Sequence, residues 1–517
     1  MKKIKRALIS VSNKKNLINF AKELSKNLGI EIISTGGTRK VLLDAGIDAK
    51  QVSEITKFPE MLDGRVKTLH PLIHGGILGI KDNPSHMEQM KKYKIQSIDM
   101  VVVNLYPFEA TISKPNVKID EAIENIDIGG PTLIRSAAKN HNYVAVITNP
   151  DKYESIIKEL KENNGELSLN TRKILALEAF SHTARYDSII SNYLHSKFKP
   201  DVKFPDLLSI TMKKIQDLRY GENPHQKAAF YQELNINYPS IVNATQLGGK
   251  ELSYNNLFDM NAAIEMVKDF EEPCCAVIKH TNPCGIAIGI NLLDVYIRAR
   301  QVDPMSAFGS IVTFNRKLNA ETASEIIKTF VEAVVAPDFD EKAIKILQQK
   351  KNLRIIDLKS IQRRTEQMDW KKIDSGLLIQ EKDEKIVSRN EFKVMSKKKP
   401  DESQLKALDF AWKVVKHVKS NAIIISKEKE AVGVGAGQMS RVDAVELAIK
   451  KGGDKVKGCV LASDAFFPFR DSIDAAAKAG ITAIIEPGGS IRDEEVIKAA
   501  DEVGLVLIFT GFRCFKH

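Results

Sequence analysis

Ala7-Leu8-Ile9-Ser10-Val11-Ser12-Asn13-Lys14 decides how the first part of this chain folds. Ala7 to Val11 is an apolar run of strand length, and the small polar residues after it open an amphipathic helix from about Lys15 to Leu28. The pattern recurs at once: Ile30 to Ser34 reads as a second strand, and Ser34-Thr35-Gly36-Gly37-Thr38 leads into a helix from Thr38 to Ala45. Further strands are expected at Ile73–Ile80, Met100–Asn104 and Tyr143–Thr148, and long helices at Asp151–Lys161 and Thr171–His195. Alternation of this kind predicts an α/β fold with a doubly wound parallel sheet.

In such a sheet both polar loops fall at the carboxyl ends of neighbouring strands, where ligands collect. Small hydroxyl residues and glycines let the amides of a helix N-terminus approach an anion. An ordinary capped turn with nothing bound is the plainer reading of either loop. Gly64-Arg65-Val66-Lys67-Thr68-Leu69-His70-Pro71 adds two cations expected to alternate on one side of an extended segment. Ile126-Asp127-Ile128-Gly129-Gly130 precedes a helix carrying Arg135, Lys139, Asn140 and His141.

A chain of 517 residues with net charge +11 should hold two or more domains and favour anionic partners. The excess is diffuse and few aromatics interleave with the basic residues, so small phosphorylated molecules fit better than nucleic acid. Five cysteines without framework spacing point to reduced thiols in the cytoplasm. The apolar run behind Lys2-Lys3 is too short for a signal peptide, and no stretch approaches a membrane span.

Lys197-Phe198-Lys199-Pro200-Asp201-Val202-Lys203-Phe204-Pro205 breaks the pattern and reads as a linker. Mixed α/β texture then resumes in two halves, separated by a Lys-rich polar stretch at 359–399. Later strands are expected at Ala422–Ser426, Cys459–Ala462, Ala483–Glu486 and Leu505–Thr510. Lys279-His280-Thr281-Asn282-Pro283-Cys284-Gly285 follows the buried-strand run Cys275–Ile278 and sets a proton donor beside a base that titrates near neutrality. Pro283 and Gly285 predict an irregular turn there. Polar clusters also occur at Leu218–Gln226, Ser253–Asn256, Asp303–Gly309, Ser420-Asn421, Gly435–Arg441 and Ser463–Asp471.

In this order the segments resemble the bifunctional purine biosynthesis proteins, which join AICAR formyltransferase to IMP cyclohydrolase, and the resemblance covers essentially the whole chain. It implies a methylglyoxal-synthase-like cyclohydrolase domain at 1–197, a linker at 198–206, and a formyltransferase domain at 207–517 made of two cytidine-deaminase-like subdomains. It implies a phosphate pocket from Ser12, Lys14, Thr35, Gly37, Thr38, Lys67 and Thr68, with Arg65, Tyr106, Asp127 and Lys139 around the reacting base. For formyl transfer it implies His280 as base, Lys279 as acid or oxyanion stabiliser, and Asn421 to orient the histidine. Arg219, Tyr220, Asn256, Arg441 and Arg513 match AICAR-binding positions; Phe466 and Asp471 match the wall shared with folate. The co-substrate implied is 10-formyltetrahydrofolate; a homodimer is expected, and some relatives bind a monovalent cation.

Two departures stand out. Asn13 replaces an Asp common among relatives, and the segment between Arg441 and Cys459 lacks the eukaryotic insertion. The rivals are a zinc-dependent nucleobase deaminase and a basic nucleic-acid-binding protein. Cys274, Cys275, His280 and Cys284 invite zinc, but adjacent cysteines on a strand face opposite ways. No His-x-Glu with Pro-Cys-x-x-Cys is present, so no metal is expected.

Overall fold

The structure is a computed structural model that describes residues 3–234, 236, 238–362 and 367–517. The chain divides into two compact units, one running to Met212 with residues 233–235, the other formed by Lys213–Gln232 and residues 236–517.

The first unit is built on five strands: β1 (Arg6–Val11), β2 (Glu31–Ser34), β3 (Lys50–Gln51), β4 (Met100–Asn104) and β5 (Ala145–Ile147). They pair in the order β3-β2-β1-β4-β5, all parallel. Met100 to Val103 are buried without alternation, as a strand covered by helices on both faces requires. The order reverses between β1 and β4, which opens a crevice at their carboxyl ends.

Three expectations change here. Pro71–Leu78 is a helix, not a strand: Pro71 opens it, His70 caps it through Nδ1, and Ile73 and Ile77 share its buried face. A short apolar run does not separate strand from buried helix, and the cap decides. Arg65 has a helical backbone after the turn Leu62–Gly64, so Arg65 and Lys67 do not alternate along an extended segment. The helix Leu169–Phe198 carries Lys197 and Phe198 within it rather than in the linker.

In the second unit, β6 (Met212–Leu218) pairs with β7 (Ala228–Glu233) ahead of two six-stranded sheets. The first sheet holds β8 (Thr245–Gly248), β9 (Cys274–Lys279), β10 (Asn282–Ile288), β11 (Ser310–Phe314), β12 (Val331–Ala336) and β13 (Arg354–Asp357). A hairpin of β14 (Met368–Ile373) and β15 (Gly376–Glu381) occupies part of the Lys-rich stretch. The second sheet holds β16 (Lys393–Val394), β17 (Ile423–Ser426), β18 (Ala431–Gly435), β19 (Val460–Ser463), β20 (Ala483–Glu486) and β21 (Val506–Phe509). Asn282 to Ile288 is therefore a strand carrying Pro283 and Gly285, not an irregular turn; the irregularity is confined to a bulge at Cys284.

The sheets run β10-β9-β11-β12-β13-β8 and β18-β17-β19-β20-β21-β16, with the same sequence of parallel and antiparallel pairings. The two halves are a repeat, and the match holds to single residues. Each first hairpin bulges at the same place, at Cys284 and at Val432. The next residue is glycine in both, because a Cβ on Gly285 would lie 1.9 Å from the Ala299 carbonyl oxygen and one on Gly433 2.2 Å from that of Ala448. After the middle strand, Asn315 and Asp464 each accept the N–H that opens the hairpin, from Cys274 at 2.8 Å and from Ala422 at 3.1 Å. The helices Tyr254–Val267 and Glu402–Val415 share a central core between the sheets, where Phe270 and Phe410 rings lie 5.5 Å apart.

Candidate active site

In the first unit the crevice between β1 and β4 is stitched by Asn104. Its Oδ1 accepts the N–H groups of Ser12 and Asn13 at 2.6 and 2.8 Å, and its Nδ2 donates to the Asn13 carbonyl at 3.0 Å. The Thr35 and Ser10 hydroxyls meet at 2.8 Å. The Thr38 hydroxyl is engaged by both backbone groups of Val11, at 3.0 and 3.1 Å, so it joins the two loops. Nothing lies within 4 Å of a Cβ placed on Gly36 or Gly37, which leaves open space over the N-terminus of the helix Gly36–Asp44. Lys14 is exposed beside this opening.

A second cluster surrounds the start of the helix Gly129–Lys139. Asp127 accepts the Gly130 N–H at 2.8 Å and that of Tyr106, while the Asp127 N–H donates to the Tyr186 hydroxyl at 2.8 Å. Burial pushes the Asp127 carboxyl above its usual range, against the pull of those amides and of nearby Lys67. A Cβ on Gly129 would sit 2.9 Å from the buried Thr68 hydroxyl, so the helix start and Thr68 are in contact. Arg65 pairs with Glu124 at the surface. Lys139 is not brought to this cluster. It ends the same 11-residue helix, about 15 Å along the axis from Gly129, and lines a cavity of about 610 Å³ with Leu78, Thr132, Arg135 and Phe180.

In the second unit His280 and Thr281 form a tight turn between β9 and β10, both with positive φ, 51° and 62°. That geometry ordinarily takes Asn-Gly. Here the Asp259 carboxylate holds it, accepting the N–H of His280 at 3.2 Å and of Thr281 at 2.7 Å. Burial raises the Asp259 carboxyl, and the two amides oppose the shift. Lys279 donates from Nζ to the Phe308 carbonyl at 2.9 Å. Asn282 then links the turn to the other half: its Nδ2 donates to the His280 carbonyl at 3.1 Å, and its Oδ1 accepts the Lys419 N–H at 3.0 Å.

Two residues on, Asn421 accepts from Arg441 Nη2 at 2.7 Å and donates to the Met439 carbonyl at 3.1 Å. Arg441 and Asp464 form a buried ion pair, and Asp464 also receives the Ser420 hydroxyl. The Asp464 carbonyl accepts the Cys514 N–H at 2.9 Å, which anchors the segment carrying Arg513, and Phe466 follows two residues later. Asn256 lies one helical turn before Asp259, its Oδ1 held in a capping box with Ser253. Arg219 stacks on Tyr220 and donates to its hydroxyl at 2.9 Å. Arg513 lies over Phe515, and Asp471 opens the helix Asp471–Lys478.

Asp259, Asn282 and Asn104 were not among the residues expected at a site. Each is a polar side chain in or at the end of an apolar element, which is the trace that marked them. Cys274 and Cys275 face different cores, both fully buried, with their thiols pushed well above the usual range by burial. Thiols held in that state are poor metal ligands.

A family model described as "AICARFT/IMPCHase bienzyme" matches residues 137–451, and one for the MGS-like domain matches residues 16–132. Proteins called "Bifunctional purine biosynthesis protein PurH" from Acetivibrio thermocellus and Thermoanaerobacter sp. are each 53% identical, and one from Persephonella marina is 52% identical. Each alignment covers 99% of this chain and 100% of the relative. A match of that length and identity, on an MGS-like sheet followed by a duplicated α/β unit, means that the chain belongs to the AICARFT/IMPCHase bienzyme family, the bifunctional formyltransferase–cyclohydrolases of purine biosynthesis.

Proposed function

We propose that formyl transfer is carried by the domain at 207–517 and ring closure by the domain at 1–197, with the linker between them beginning after the helix that ends at Phe198. In the first reaction the 5-amino group of AICAR attacks the formyl carbon of 10-formyltetrahydrofolate. That amine is delocalised into its ring and carboxamide and must lose a proton as it attacks, while the folate nitrogen must gain one as it leaves. His280 takes the proton, Lys279 donates one or stabilises the oxyanion, and Asn421 orients the histidine. Arg219 and Arg513 hold the AICAR phosphate; Tyr220, Asn256 and Arg441 hold the rest of the molecule. Phe466 and Asp471 wall the folate. The observation that carries this reading is Asn282, whose two ends tie the His280 turn to the strand entry that holds Asn421.

In the second reaction the carboxamide nitrogen attacks the formyl group of the same molecule and water leaves, so effective molarity supplies much of the acceleration. Ser12, Lys14, Thr35, Gly37, Thr38, Lys67 and Thr68 hold the phosphate, Arg65 lies at the base, Asp127 orients the amide, and Tyr106 stabilises the oxyanion. Lys139, about 15 Å along the helix from Gly129, is assigned to the site of a second copy in a homodimer. The protein works in the cytoplasm on small molecules, with no nucleic acid, membrane or zinc; a monovalent cation is assigned to no residues.

The test supplies AICAR and 10-formyltetrahydrofolate and follows tetrahydrofolate and IMP. His280→Ala is expected to abolish tetrahydrofolate release while leaving ring closure of supplied formyl-AICAR intact. Loss of both activities in a folded variant would overturn the division.

A further inference from the structure

Glu486 ends β20 and is fully buried. One of its carboxyl oxygens accepts the Phe467 N–H at 2.6 Å; the other has no partner among the described residues. The repeat supplies an internal comparison. Ala483 pairs with Val460 as Ala333 pairs with Ile311, so Glu486 occupies the position held by Ala336 in the first half. Ala336 is also fully buried. The scaffold at that position is therefore content with a methyl group, and a half-satisfied carboxyl in its place needs another reason.

The residue it holds supplies one. Phe467 is fully buried, whereas Phe466 and Phe469 on either side are 37% and 46% exposed, the latter under the Arg492 guanidinium at 4.6 Å. The Phe467 N–H is the anchor at the middle of this aromatic segment. We propose that Glu486 is a positioning residue for formyl transfer: by accepting the Phe467 N–H it fixes the Phe466–Phe469 segment against the folate co-substrate. This rests on the reading above that Phe466 walls the folate.

The surroundings favour the neutral form. Burial pushes the Glu486 carboxyl up to about 8; Asp493, on the following helix, also disfavours its charge, and Arg441 favours it. On the flanking strand ends, Asp464 is itself paired with Arg441, and Phe509 and Thr510 carry no charge. A charge appearing there above about pH 8 would bring water or a cation beneath the segment and loosen it.

The experiment is steady-state transferase kinetics from pH 6.5 to 9.5 for wild type, Glu486→Gln and Glu486→Ala, with ring closure as an internal control. Wild-type KM for 10-formyltetrahydrofolate is expected to rise several-fold above pH 8. Glu486→Gln keeps a neutral acceptor and should match wild type at low pH and stay flat. Glu486→Ala should raise that KM about tenfold at pH 7 with kcat and the AICAR KM little changed. Glu486→Met, which fills the volume without the acceptor, serves if alanine unfolds the unit. A glutamine variant no better than alanine, equal losses toward AICAR and folate, or a flat wild-type profile would overturn the proposal. Phe466→Ala separates it from the reading beneath it. If that variant leaves the folate KM unchanged, the wall assignment fails; if it raises the KM and Glu486→Ala does not, only the positioning role fails.

Discussion

Replacing Asp464 by asparagine removes a charge while keeping the shape. Asn315 demonstrates at the equivalent position that asparagine can brace the hairpin through the same backbone N–H. What the substitution cannot replace is the charge facing Arg441, whose side chain is 6% exposed while that of Asp464 is 0% exposed. Breaking a buried pair by removing one partner costs about 3–5 kcal/mol, because the other charge is left uncompensated. At roughly 2 °C per kcal/mol for a unit this large, the melting temperature of the second unit should fall by about 6–10 °C. Arg441 would also lose the partner that aims it at Asn421, so formyl transfer should drop by about two orders of magnitude while ring closure is unchanged. Calorimetry on Asp464→Asn, Arg441→Met and the double variant measures both parts. The double variant should recover about 2 kcal/mol or more relative to the sum of the singles. A single-variant cost below about 1 kcal/mol, or strict additivity, would refute the view that this pair is a coupled buried hub.

Asp259→Ala removes both acceptors from a turn with two successive positive-φ residues, so formyl transfer should fall about a hundredfold in a folded protein; unchanged kcat would mean that the turn holds itself. Mixing Lys139→Ala with Asp127→Asn subunits should restore about a quarter of wild-type ring closure if Lys139 acts across a dimer, since half the dimers are mixed and each has one intact site; no recovery after confirmed exchange would count against that arrangement. Stability should also vary with pH through Glu486. Its pKa is raised on folding from 4.5 to about 8, so the native state holds the proton more tightly than the unfolded chain does. The contribution is complete below pH 4.5 and is lost as pH rises toward 8. Glu486→Gln should therefore gain a few kcal/mol relative to wild type between those limits, and parallel pH–melting curves for the two proteins would contradict this.

The parallel sheet of the first unit was legible because its strands are continuous apolar runs ending in small polar residues, and the spans of β1, β2 and β4 follow from them. The helix Pro71–Leu78 was not, since Ile73-His74-Gly75-Gly76-Ile77 satisfies neither period cleanly. The His280 turn was visible as chemistry but misplaced as geometry: Pro283 and Gly285 read as turn residues, yet they serve a bulged strand packed against a helix. The duplication was implied by the family resemblance but not by the residues alone, for a related reason. Equivalent positions hold Cys284 and Val432, or Asn315 and Asp464, so what repeats is the hydrogen bonding and close packing, and a one-dimensional reading sees only the side chains.

Asn282 and Glu430 are also equivalent, each following the tight end of its hairpin, and each reaches the opposite half: Asn282 to Lys419, Glu430 to Arg298 at 3.3 Å. The duplicated fold thus meets at two equivalent seams, and on the proposed reading the transferase chemistry sits at one of them, leaving the other an adhesive contact alone. Sequence change should consequently be tolerated unequally between paired positions, and a saturation library scored on purine prototrophy would register the internal symmetry as a one-sided scar.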